Sequence, residues 1–86
     1  MKLDRENDRV TIDANDLGPL IGCQPSEVPG LMRSGQITSV FERGEGEDEG
    51  RFRVTFRYRG TRVRFTCAED GEVLSQIRTR EAGDGE

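Results

Sequence analysis

The chain has 86 residues, with 13 Lys and Arg against 17 Asp and Glu, no His, two Cys and a net charge of −4. That length suits one domain and leaves little room for both a core and a deep catalytic cleft. Hydrophobic residues make up only 31% and the mean hydropathy is −0.76, so nearly every large apolar side chain belongs inside, and their alternation over long stretches argues for folding rather than disorder.

In chain order, Val10 and Ile12 alternate in RVTIDA and predict a short strand, open to pairing with residues 2–5 through a turn at Glu6-Asn7-Asp8. Asp13, with Asp16 three residues on, is placed to cap a helix through Leu17, Leu20 and Ile21 that stops near Gly22, with Gly18 and Pro19 weakening it. Next, CQPSEVPGLMRSG predicts an irregular turn and a second short helix over about residues 29–34, capped by Gly35, because Pro29 is tolerated only in a first turn. Val28, Leu31 and Met32 are expected to face the core.

From Gln36 the period changes to two. A two-residue turn at Arg59-Gly60 pairs Phe56 with Val63 and Val54 with Phe65, so Phe52, Val54, Phe56 and Tyr58 form a buried face with Arg57 opposite Arg62 outside. A three-residue turn at Glu69-Asp70-Gly71 brings Val73 and Ile77 onto the same inner face. Upstream, pairing Phe41 with Phe52 and Ile37 with Phe56 buries both apolar residues, sets Glu42 against Arg51 and leaves GEGEDEG, residues 44–50, as an acidic loop. The expected fold is α+β: an N-terminal strand, two short helices, then a four-stranded antiparallel meander with the helices on its aromatic face. It occupies residues 1–80, and EAGDGE, residues 81–86, is expected to be a disordered acidic tail.

The arginines of RFRVTFRYRGTRVRFTC alternate because they take the outward strand positions. Arg51, Arg53, Arg57, Arg62, Arg64 and Arg78 are thereby assigned to one outer surface, with Glu42 as the acid among them. Two readings stay open. The surface is a solvated sheet face whose heads are neutralised by local acids, or it binds an anionic partner such as an acidic protein. Platforms for single-stranded nucleic acid place aromatics among the basic residues, whereas here parity turns the aromatics inward, leaving phosphate contact without base stacking.

No catalytic constellation is evident: His is absent and the carboxylates gather in turns and loops. Cys23 and Cys67 are far apart without a CxxC pattern, and two half-buried thiols are expected rather than a disulfide, a redox pair or a zinc site. Glu45, Glu47, Asp48 and Glu49 offer oxygen ligands of the kind calcium takes, but without the EF-hand spacing, so a solvated loop screening Arg51 and Arg53 is the expectation. No cofactor is implied. No apolar run reaches membrane-span length and the start, MKLDREND, is charged, so neither a membrane segment nor a signal peptide is expected and a cytoplasmic location follows.

Two resemblances add to this. DLGPLIGCQPSEVPGLMRSGQI, residues 16–37, resembles the helix-turn-helix of excisionase and MerR-type regulators, whose hairpin wing would correspond to residues 37–59. That resemblance implies a degenerate winged helix-turn-helix regulator as an alternative function. The would-be recognition helix offers Pro25, Ser26, Glu27, Pro29 and Gly30, and the wing tip is acidic, so specific duplex binding is not expected. Over about residues 10–78, the run VPGLMRSGQITSVFERGEGEDEGRFRVTF is similar to a family of small bacterial proteins carried as a domain of unknown function. This implies a bacterial source and an independent domain, and assigns no residue a role.

Overall fold

In the computed structural model, which describes residues 1–80, the chain first reverses at Asn7, whose φ of 59° lies in the left-handed region that Asn tolerates better than most residues. The reversal pairs β1 (Asp4–Glu6) with β2 (Arg9–Thr11) in a two-stranded antiparallel ribbon. The expected tail, 81–86, lies outside the described residues.

Helix α1 (Ala14–Ile21) starts where Asp13 Oδ1 accepts a hydrogen bond from the Asn15 amide at 2.8 Å, and ends at Gly22, whose φ is 86°. Pro19 costs it one backbone bond, yet Leu17 and Ile21 are buried on one side and tertiary packing holds the short helix. A 3-10 turn (Pro25–Glu27) follows, with the Gln24 amide donating to Glu27 Oε1 at 3.0 Å, and leads into α2 (Val28–Arg33). Six residues allow α2 one inward stripe, centred between Val28 and Leu31. Met32, about 100° round the axis from Leu31, falls on the flank and is 37% exposed rather than in the core as expected.

The remaining strands, β3 (Thr38–Arg43), β4 (Phe52–Tyr58), β5 (Thr61–Cys67) and β6 (Val73–Arg80), form a four-stranded antiparallel sheet in sequential order. The fold is the α+β arrangement predicted. Its core lies between one sheet face and the helices, where Phe52, Val54, Phe56, Val63 and Phe65 meet Leu17, Ile21 and Val28. Leu3 and Ile12 close one end. There Arg5 lies over the stacked rings of Phe41 and Phe52, and Arg43 pairs with Asp8, fastening the β1–β2 ribbon to the sheet.

The β4–β5 register is the predicted one, with Val54 opposite Phe65, Phe56 opposite Val63 and Arg57 opposite Arg62. Arg59 and Gly60 both have positive φ, 50° and 80°, the type I′ geometry that suits a two-residue hairpin. The β3–β4 register differs from the expected one by two residues. Phe41 lies opposite Val54, Ser39 opposite Phe56 and Glu42 opposite Arg53. A two-residue slip keeps every side chain on its own face, so hydrophobic pattern cannot select between the two pairings. The loop selects it: a 3-10 turn (Gly46–Asp48) draws the strands together so that the Gly44 amide donates to the Arg51 carbonyl at 2.9 Å.

The last strand departs further. The turn after β5 closes as predicted, with the Ala68 amide donating to the Glu72 carbonyl and Gly71 at φ 97°. Cys67 then pairs with Val73 but Thr66 pairs with Ser75, leaving Leu74 as the extra residue of a β-bulge. Beyond the bulge all parities are reversed. Ile77 lies opposite Arg64 on the outer face, and Arg78 opposite Val63 on the face that the helices partly cover. The start of this strand is held by contacts remote in sequence. The Leu3 amide donates to the Gly71 carbonyl at 2.9 Å and the Val73 amide to the Met1 carbonyl at 3.0 Å, so the first residues pin the start of β6 from its free side.

Candidate functional site

The two registers on either side of β4 and β5 lay out the outer face as three rows across the four strands. One row is Thr38, Arg57, Arg62 and Thr79; the middle row is Val40, Thr55, Arg64 and Ile77; the third is Glu42, Arg53, Thr66 and Ser75. Each strand alternates because the aromatic and aliphatic residues between these positions are held inward by the core. The pairing sets Arg53, Arg57, Arg62 and Arg64 at positions on the same side of the sheet. Arg51 stands at its margin, just before β4. Arg78 does not join them, because the bulge at Leu74 turns it to the opposite side of the sheet.

The arginines are not equivalent. Asp48, from the acidic loop, approaches both Arg53 at 3.3 Å and Arg51 at 3.9 Å, so its single charge screens this end of the face in part. Arg62 and Arg64 make no ion pair with any described residue. Arg57 and Arg62 sit directly opposite each other, an arrangement of like charges that costs a sheet about 0.2–1 kcal/mol. Arg64 Nε is buried without a hydrogen-bond partner among the described residues, and a donor in that state costs about 1–3 kcal/mol.

Three further features of the face escaped the sequence reading. Val40 and Ile77 stand 55% and 54% exposed at the two ends of the middle row, and Thr55 between them is only 8% exposed. Thr38, Val40, Glu42, Thr55, Arg57, Arg62 and Arg64 line one shallow depression, cationic at its centre with an apolar flank at Val40. The outward parity of Val40 was readable from Glu42; that of Ile77 was hidden by the bulge.

Elsewhere the chemistry is quiet. Burial pushes the Cys67 thiol up, and burial together with the Glu27 carboxylate pushes the Cys23 thiol up, so neither is poised as a thiolate at neutral pH. Both are free. Among the described residues no group of three or more His, Cys, Asp and Glu side chains is gathered as metal ligands would be, and no helix is long and apolar enough to cross a membrane.

No curated protein and no solved structure matches this chain, so the resemblance to winged helix-turn-helix regulators finds no support. What does match is a family model that runs over residues 1–84, the ribbon, helices and sheet included. The arginine face is thus carried on a domain that belongs, over nearly its whole length, to the family of unknown function DUF6522.

Proposed function

We propose that this protein is a non-enzymatic interaction module whose outer sheet face holds an acidic polypeptide segment, with Arg57, Arg62 and Arg64 as the charged centre. Arg51 and Arg53, already facing Asp48, contribute at the margin. The observation that carries the reading is the depression around Thr55, where the three arginines stand together and where, among the described residues, the Arg64 Nε has no hydrogen-bond partner and Glu42 is the only acid on the lining. An incoming carboxylate gives Arg62 and Arg64, which make no ion pair with a described residue, a charged acceptor. Val40 and Ile77 favour a polypeptide over a nucleic acid, since they offer apolar contact to side chains while the aromatic rings that would stack on bases are in the core.

The test is a titration of the isotope-labelled protein, followed by amide chemical shifts, with a poly-glutamate peptide, an oligothymidylate and a random DNA duplex as separate probes. The peptide is expected to move resonances along the outward positions of β4 and β5, and the shifts should fade as salt is raised, because the contacts are between exposed charges. Arg57→Glu with Arg62→Glu should abolish them. Arg78→Glu with Arg80→Glu, on the other side of the sheet, should leave them in place. A face undisturbed by the peptide at low salt, or equal loss in both double variants, overturns the reading. Shifts produced by a DNA probe alone reject the polypeptide partner.

A further inference from the structure

β6 is an edge strand and, at eight residues, the longest in the sheet. One side of its backbone pairs with β5, while on the other, among the described residues, only its first residue is met, by Met1. An edge of this kind is a template for another strand unless charge, proline, brevity or a bulge blunts it. The bulge at Leu74 disturbs only the start, and residues 75–80 run on regularly. Their outward positions, Ser75, Ile77 and Thr79, carry no charge, and Ile77 at their centre is a large β-branched residue left 54% exposed. The opposite edge, β3, ends instead in Glu42 and Arg43, and Arg43 is tied across to Asp8.

We infer that β6 pairs antiparallel with β6 of a second copy, about a two-fold axis through Ile77, joining two four-stranded sheets into one of eight strands. The residues of the strand select both the occupant and the register. Centred on Ile77, the pairing sets Ile77 against Ile77 of the second copy, Ser75 against Thr79 and Gln76 against Arg78. Apolar meets apolar, hydroxyl meets hydroxyl, and no arginine faces another. A slip by two residues one way sets Arg78 against Arg78 of the second copy. The same slip the other way sets Ile77 against Ser75 and runs the pairing into the bulge. Odd slips turn the helix side of one copy toward the outer face of the other. The axis through Ile77 closes the assembly at two copies, as isologous contacts do.

The pairing does not depend on the face being a binding surface, but it has a consequence for one. Both outer faces lie on the same side of the joined sheet, with the two β5 strands about 14 Å apart by the usual strand spacing. Arg62 and Arg64 of each copy then flank a central apolar seam made by the two Ile77 side chains.

Sedimentation equilibrium of the whole chain from low-micromolar to near-millimolar concentration is the primary test. The expected result is a mass rising with concentration from 9.7 kDa toward twice that value, and Ile77→Lys holding it at the monomer value. Ile77→Cys in a Cys23→Ser background should oxidise readily to a linked dimer, because the two-fold brings each Ile77 onto its counterpart. Val40→Cys, in the same row at the other edge, should not. A monomer at every concentration overturns the inference. So does a dimer that survives Ile77→Lys, or one that cross-links as fast through Val40→Cys.

Discussion

Gly71 and Gly22 share a left-handed backbone, at φ 97° and 86°, but their surroundings separate two costs that are usually merged. At Gly22 a Cβ meets nothing within 4 Å, so Gly22→Ala carries only the conformational penalty of about 1–2 kcal/mol. At Gly71 the same Cβ would stand 1.9 Å from the Leu3 carbonyl oxygen, which is fixed because the Leu3 amide donates to Gly71. Gly71→Ala must therefore also displace the N-terminal segment and expose Leu3, whose burial is worth about 1.5–3 kcal/mol. Urea melts should rank Gly71→Ala as the costlier by at least 1 kcal/mol, roughly, on these figures. Equal losses would mean that residues 1–3 are not held against the turn.

At the scale of the element, β6 differs from β4 and β5 in what its side chains do. The two central strands are packed on one face, and Phe65 is fully buried, making an edge-on contact with Phe56 at 6.1 Å. Phe65→Ala should cost about 3–5 kcal/mol, enough to threaten so small a domain. Ile77 has the same apolar character and, by alternation from Val73, looks like part of that core; the bulge puts it outside. Ile77→Ala measured at low-micromolar concentration, where the inferred β6 pairing is expected to be dissociated, should change stability by less than about 0.5 kcal/mol, as surface substitutions do. A loss near that of Phe65→Ala in thermal or urea melts would restore the unbulged register.

For the whole molecule, the buried Cys67 thiol reports on the integrity of the core. Its ionisation is raised by burial, so on raising the pH the unfolded chain loses the thiol proton first, and the folded state becomes less favoured as pH climbs through the ordinary thiol range near 8.5. The contribution is fully present below that range. Melts at neutral and alkaline pH should show wild type losing more stability than Cys67→Ala over that interval. A neutral-pH thiol reagent should label half-buried Cys23 first and reach Cys67 only on unfolding. Rapid native labelling at both positions would mean the sheet opens locally at the end of β5.

Much of this fold is determined locally. Asp13, Gly22, Pro25 and Gly35 mark the helix ends, Arg59-Gly60 specifies its own hairpin, and the period-two run from Phe52 to Phe65 settles which side chains are buried, hence which arginines point out. Those features depend on neighbours in the chain, or on a parity that any register slip of two preserves. The pairing of β3 with β4 depended on how the acidic loop folds. The composition of the outer face depended on the N-terminal segment reaching the start of β6 and on the extra residue there. That contact joins residues some seventy positions apart and leaves no periodic trace in either segment. The chain by itself therefore determined that Arg53, Arg57, Arg62 and Arg64 point to one side of the sheet. Only tertiary structure decided that Arg78 leaves it, that Ile77 joins it, and that β6 stands as an edge, because one bulge reverses the direction of every side chain beyond it.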